Sequence, residues 1–230
     1  MDTSLTLYHG SCRIIREPVY GAGRAHNDYG LGFYCTEDPE MAKEWACTLL
    51  DSGYANRYAL ATEGMRVLNL NSEEYTLLNW LAILVNHRVF RVKTPIAGHA
   101  IRYLKENFYI NVEEFDLVTG YRADDAYFDF ADAFLNNGLT VDQLGAAMRL
   151  GKLGEQVVLK SAFAFQQIRF LDAVPADRSF YYPKRKARND AAMQSYASLA
   201  GAGSDGLYMA DIIRQKVKND DPRIPRNLPE

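Results

Sequence analysis

The chain has 230 residues, 48% hydrophobic and 24% charged, with a formal net charge of −3, which are the proportions of an ordinary globular protein with room for one full domain and additions. That charge excludes a whole-molecule attraction for nucleic acid, and nothing approaches the about 18 consecutive apolar residues of a membrane span, so no membrane partner is expected. Cys12, Cys35 and Cys47 are an odd, widely spaced set without C-x-x-C, and "MDTSLTLYHG" lacks the layout of a secretory signal, so neither a zinc site nor a disulfide framework is expected and the default location is a reducing cytoplasm.

"LTLYHG" (5–10) reads as a strand, and Gly21, Gly23, Asn27, Asp28 and Gly30 make the next segment a loop. "GFYCT" (32–36) is a second short strand. Asp38 is a helix cap with Pro39 at the first position, and Met41, Ala42, Trp45, Ala46 and Leu49 form an apolar stripe at helical spacing. "NRYALA" (56–61) and "MRVLNL" (65–70) read as two strands around a turn at Gly64. Helices are expected at about 73–90 and 96–107, and "FDLVTG" (115–120) is a buried strand. Two helices come next over 123–138 and 140–154, the first stopped by Asn137–Gly138 and the second capped by Thr140. "EQVVLKS" (155–161) and "IRFLDAVP" (168–175) are strands. Beyond Pro175 come the basic run "YYPKRKAR" (181–188), a helix near 189–199, the loop "GAGSDG" and a helix near 207–218. The basic run reads as a solvated linker, or, functionally, as a track for a phosphate backbone. This order predicts an α+β core over 1–175 and an accessory extension over 176–230.

His9–Gly10–Ser11 is the first candidate for chemistry. A strand-end histidine offers one ring nitrogen to a hydroxyl while the other is fixed by backbone, and a glycine lets main chain approach a ligand closely. A plain turn explains the same three residues. Tyr34 lies on a glycine-flanked strand, and Trp45 comes eleven positions later on the following helix. Two aromatics so placed suit a flat ring between them, although Trp45 also fits its helix's own apolar stripe. Asp124 and Asp125 read as residues favoured by a helix N-terminus, with a charged site role as the alternative. Asn86 and Arg88 are candidates for a pyrophosphate. His26, His87 and His99 have no ligand spacing, so no metal is expected. There is no G-x-G-x-x-G between a strand and a helix, and no P-loop.

"LYHGS" followed by "GFYCTEDPEMAKEWA" resembles the nicotinamide-binding half of the ADP-ribosyltransferase superfamily, in the branch with a His–Tyr–Glu triad shared by exotoxin A, diphtheria toxin and poly(ADP-ribose) polymerases. Further on, "DLVTGYRADDAYF", "GLTVDQL" and "EQVVLKSAFAFQQIRFL" look like a bacterial family of unknown function grouped with these transferases, which extends the similarity over about 3–175. The resemblance implies a split β-sheet core flanked by helices and NAD as co-substrate. It implies that His9 bonds the adenosine ribose, that the Gly10 backbone, beside Ser11, pairs with the nicotinamide carboxamide, and that Tyr34 and Trp45 sandwich the ring. A macromolecular acceptor, protein or nucleic acid, would take the ADP-ribose, and an antitoxin protein would be a partner if the chain is the toxin half of such a system or a defence effector.

The third triad member is open between neighbours. The bacterial family points to Gln156, the parent chemistry to Glu155, and strand alternation puts the two on opposite faces. A glutamine hydrogen-bonds a ribose hydroxyl but lacks the charge of a carboxylate. The Gln156, Val158 and Lys160 face is expected to line the cleft, with Lys160 near phosphates, and Glu155 to stay at the exposed strand start. On that expectation Gln156→Glu retains or raises NAD cleavage. A silent NAD or ADP-ribose binding module and an NAD glycohydrolase are the rival readings.

Overall fold

Apolar side chains alternate along "SLTLYHGS", and this segment is strand β1, Ser4–Ser11, in a computed structural model that describes residues 4–123, 125–149, 154–200 and 205–226. Strand β2 is Phe33–Cys35, and helix α1, Pro39–Ala46, starts as its sequence dictates: the Asp38 carboxylate accepts the N–H groups of Glu40 and Met41, and Pro39 opens the first turn. Then come β3 (Gly53–Ala61), β4 (Val67–Asn69), α2 (Leu77–His87), α3 (Pro95–Asn107), a 3-10 turn (Val112–Glu114) and β5 (Leu117–Tyr121). The chain continues through α4 (Asp125–Leu135), α5 (Val141–Met148), β6 (Glu155–Leu159), α6 (Ala162–Gln167), β7 (Ile168–Ala176), α7 (Arg178–Ala200) and α8 (Met209–Arg214).

The strands form two sheets. One has the order β1-β3-β7, all antiparallel; the other has the order β2-β6-β5-β4, with β4 and β5 parallel. Backbone bonds between Tyr8 and Thr36 tie the sheets together: Tyr8 N–H donates to Thr36 O at 2.8 Å and Thr36 N–H returns to Tyr8 O at 2.9 Å. Between the sheets lies a smaller core of Leu7, Phe33, Cys35, Tyr58, Leu60, Val157 and Leu159. The larger core packs the other face of the second sheet, through Leu68, Val118 and Val158, against the helices. Helix α2 is at its centre and is buried along nearly its whole length, Leu77 to Val85, as an apolar all-round helix must be.

Mixed α and β structure agrees with the expected class, and several details differ. The strands on either side of Gly64 do not pair with each other; β3 belongs to the first sheet and β4 to the second. The stripe of α1 ends at Ala46, leaving Leu49 63% exposed beyond the helix. The basic run 181–188 is not a linker but part of α7. The extension is not peripheral either: Ala192, Met209, Ile212, Val217 and Ile224 are buried in the larger core. Asp124, the last part of the helix expected over 140–154, and most of "GAGSDG" lie outside the described residues, as does the side chain of Asp125. No helix among the described residues is long and apolar enough to cross a membrane.

Candidate functional site

A cavity of about 910 Å³ opens where the two sheets meet. His9, Gly10 and Ser11 of β1, Phe33 and Tyr34 of β2, Trp45 of α1 and Gln156 of β6 all line it. The loop between β1 and β2 supplies much of the remaining wall, and Arg13, Arg24, Arg88 and Arg122 outweigh Glu17 and Asp28 in charge. A cationic concavity of this kind favours an anionic ligand.

His9 Nδ1 is 2.7 Å from the carbonyl of Tyr34. A carbonyl only accepts, so Nδ1 carries the proton and Nε2 keeps its lone pair. Its ring stacks on Phe33 with centroids 4.3 Å apart. Burial, opposed by the bond to Tyr34, holds the imidazole below its ordinary pKa and therefore neutral. Gly10 lacks a Cβ for a reason the sequence does not disclose. An added Cβ would collide with the Ala42 carbonyl and come within 2.9 Å of Trp45 Cβ, so glycine is what lets α1 lie across the strand. Tyr8 turns its N–H and C=O to Thr36, away from β3. By strand alternation Gly10 presents its own pair along the same edge, on the cavity side. Ser11 Oγ accepts the Arg13 N–H at 3.3 Å and shapes the loop's departure.

The Tyr34 hydroxyl is fully engaged, donating to Gly30 O at 2.6 Å and accepting from Tyr29 N at 3.1 Å. Burial pushes it far above the usual phenol range, so Tyr34 offers the cavity a ring and no proton chemistry. Trp45 carries the Arg122 guanidinium over its ring, 4.6 Å from the centroid, while its buried indole N–H has no partner. The two aromatics thus share a cavity, and the group lying on Trp45 is an arginine.

Gln156 is 3% exposed and lines the cavity, whereas Glu155 stands exposed at the strand start and is not part of the wall. Partial desolvation and then the Glu37 charge raise the Glu155 carboxyl. Gln156 Nε2 donates to Asp28 Oδ2 at 3.0 Å, and its Oε1 is buried without a partner. Asp28 is the cavity residue that the sequence hides, since nothing marks it there beyond its place in a glycine-rich loop. It is 5% exposed, accepts the Ala123 N–H at 2.9 Å, and pairs with Arg88 at 3.2 Å. Burial raises its carboxyl, against the Ala123 bond, the Arg88 charge and the Gln156 amide.

Tyr29 explains how a loop holds an aspartate so firmly. It is fully buried, its hydroxyl donates to Tyr121 O at 2.6 Å, and Gly120 leaves room for that hydroxyl. Its carbonyl accepts from Lys160 Nζ at 2.7 Å, and the same ammonium reaches Leu31 O and Glu113. Lys160 is therefore spent on the loop and does not face phosphates, contrary to expectation. Val158 on the same face is core. Arg88 reaches the cavity, but Asn86 is exposed away from it beside Tyr109. His26 and His99 are exposed, His87 packs beside Gly30, and no group of His, Cys, Asp and Glu among the described residues is arranged to hold a metal ion. Cys12, Cys35 and Cys47 are free thiols.

The basic run also finds its place here, on the far side of α1 from β1. Arg188 pairs at 2.6 Å with Glu44, which is 1% exposed; Lys184 lies 3.4 Å from the same carboxylate, and Tyr181 bonds Glu40. It clamps the helix that carries Trp45.

No curated protein and no solved structure matches the chain. Residues 5–170 match a family described as a protein of unknown function, DUF3990, and that span takes in nearly all of β1, the strands β2 to β6 and every wall of the cavity. The chain therefore belongs to the DUF3990 family.

Proposed function

We propose that this cavity binds NAD and that the chain is an ADP-ribosyltransferase-like enzyme acting on a macromolecular acceptor. The observation that carries the reading is convergence. His9, Gly10, Tyr34, Trp45 and Gln156 come from four separate elements and line one cationic cavity, and these are the positions on which the resemblance rests. The unpartnered Gln156 Oε1 fits the reading as well, because a buried acceptor without a donor calls for a hydroxyl such as a ribose supplies. In the reaction the bond from ribose C1′ to the nicotinamide nitrogen breaks, its electron pair leaving with nicotinamide. An acceptor nucleophile closes on C1′ and releases its proton to solvent. Neutral His9 would accept a ribose hydroxyl through Nε2, the free backbone edge at Gly10 would meet the carboxamide, and the arginines would hold the pyrophosphate.

The amide at Gln156 favours one second reading, a module that binds NAD or ADP-ribose without cleaving it, since an amide carries no charge and cannot act as a base. Calorimetry with NAD and an assay of nicotinamide release, with and without cell lysate, separate the two. Release that rises with lysate, and labelled ADP-ribose on a lysate fraction, support the transferase. Binding without release supports the module, and absence of both overturns both.

A further inference from the structure

We propose that Asp28 is the positioning residue of this site: its carboxylate locks the Gln156 amide so that the unpartnered Oε1 is held in the cavity wall as an acceptor, and an aspartate–glutamine pair performs the task of a single glutamate. The proposal rests on the NAD reading for its chemistry and on geometry for its structure. An ionised carboxylate only accepts, so the 3.0 Å contact fixes Nε2 on Asp28 and leaves Oε1, buried and without a partner, as the one unsatisfied acceptor of the amide. Of the two orientations a glutamine amide can take, only one satisfies Asp28. The carboxylate is itself over-determined, by the Ala123 N–H, by Arg88 and by the anchoring of its neighbour Tyr29. Its negative charge polarises the amide, which makes Oε1 a stronger acceptor and turns the negative end of the dipole toward a ribose that becomes cationic as nicotinamide leaves.

This pairing changes what a glutamate at position 156 would do. Gln156→Glu would set a second carboxylate about 3 Å from Asp28 inside a buried site, where both cannot ionise. Restoring the glutamate of the resembling transferases is thus expected to damage the site rather than improve it. Exchanging the two residues should repair it in part: in the double variant Asp28→Asn/Gln156→Glu the amide and the carboxylate trade places and keep their hydrogen bond, while the Ala123 N–H, which shares Asp28 Oδ2 with Gln156, gives up its acceptor.

The test compares wild type, Asp28→Asn, Gln156→Glu and the exchanged pair by thermal unfolding and by nicotinamide release from NAD. Asp28→Asn, whose own amide lets Gln156 turn over, is expected to slow release by about 10- to 100-fold, the scale on which outer-shell partners act. Gln156→Glu is expected to melt lower than wild type and to be similarly slow, and the exchange to recover part of both losses. The pH profile adds a readout that a purely structural role would not move. Arg88 at the end of α2, Arg122 after β5, Tyr34 of β2 and Gln156 of β6 face Asp28. Wild-type release should fall in acid as Asp28 gains its proton, and Asp28→Asn should lack that limb. A Gln156→Glu variant as stable and active as wild type, or an exchanged pair no better than Gln156→Glu, overturns the proposal. If wild type neither binds nor cleaves NAD, the functional reading fails while the melting temperatures still decide the pairing: recovery in the exchanged pair supports it, and its absence overturns it.

Discussion

Gly10 shows how one residue answers to two neighbours. The sequence places a glycine after a strand-end histidine, which reads as room for a ligand; the structure shows that the room is taken up by α1, whose Ala42 carbonyl lies where a Cβ would be. Gly10→Ala is therefore expected to destabilise the fold by roughly 1–3 kcal/mol, the usual cost of overpacking, measured by chemical denaturation in the absence of any ligand. An unchanged midpoint would mean that α1 yields easily. His9 should behave differently, because its ring nitrogen is a ligand contact if the cavity holds NAD. His9→Ala is expected to weaken NAD binding by about fivefold, one hydrogen bond's worth, in calorimetry on a protein whose fold circular dichroism shows to be intact. His9 also has a pH signature. Its folded pKa lies below the ordinary 6.5, so the unfolded chain binds the proton more readily. The stability it contributes is fully present above about pH 6.5 and is lost as pH falls through the lower folded value. His9→Gln should flatten that part of the stability profile. Residues of this sort are legible in the sequence because they cluster in short runs around glycines. Asp28 is not: it sits among loop residues with no periodicity, and its contact with Gln156 spans 128 positions.

Elements repeat the pattern. Helix α1 announces itself through Asp38–Pro39 and its apolar stripe, and α5 through the Thr140 cap that accepts the Gln143 N–H. Helix α4 stops where Asn137 takes a φ of +66° and Gly138 N–H closes onto Ala133 O, as the Asn-Gly signal implies. The start of helix α7 reads as a linker in the sequence because its composition is basic and its partners are remote. Glu40 and Glu44 stand more than 140 residues before Tyr181 and Arg188, and charge pairs at that distance leave no trace in a local window. The consequence for a truncated chain is direct. Ending the protein at Pro175 would strip Arg188 and Lys184 from a buried carboxylate, a loss of roughly 3–5 kcal/mol when no partner remains, and would uncover the core around Ala192, Met209 and Ile212. We expect that fragment to be insoluble or unfolded, as checked by expression and circular dichroism; a soluble fragment with a cooperative melt would show that α1 holds without its clamp. Arg188→Leu in the full chain should lower the melting temperature while leaving the secondary structure intact.

On the scale of the molecule, the sequence conveys the class, mixed α and β structure with short strands, because each strand carries its own turn signals. It does not convey that Gly64 separates strands of different sheets, since sheet membership is decided by long-range pairing. This division into two sheets has a dynamic consequence. His9 and Gly10 belong to one sheet and Tyr34 and Gln156 to the other, while the Tyr8–Thr36 bridge is where backbone bonds cross between them. The cavity is thus a seam, and any molecule that grips both walls acts as a staple across it. Opening of a seam exposes its backbone amides to solvent, and a ligand at 100 times its dissociation constant opposes such opening by about 2.7 kcal/mol. Amide exchange at Tyr8 and Thr36 should slow by about 100-fold in saturating NAD, while amides deep in α2 keep the rates they have without it.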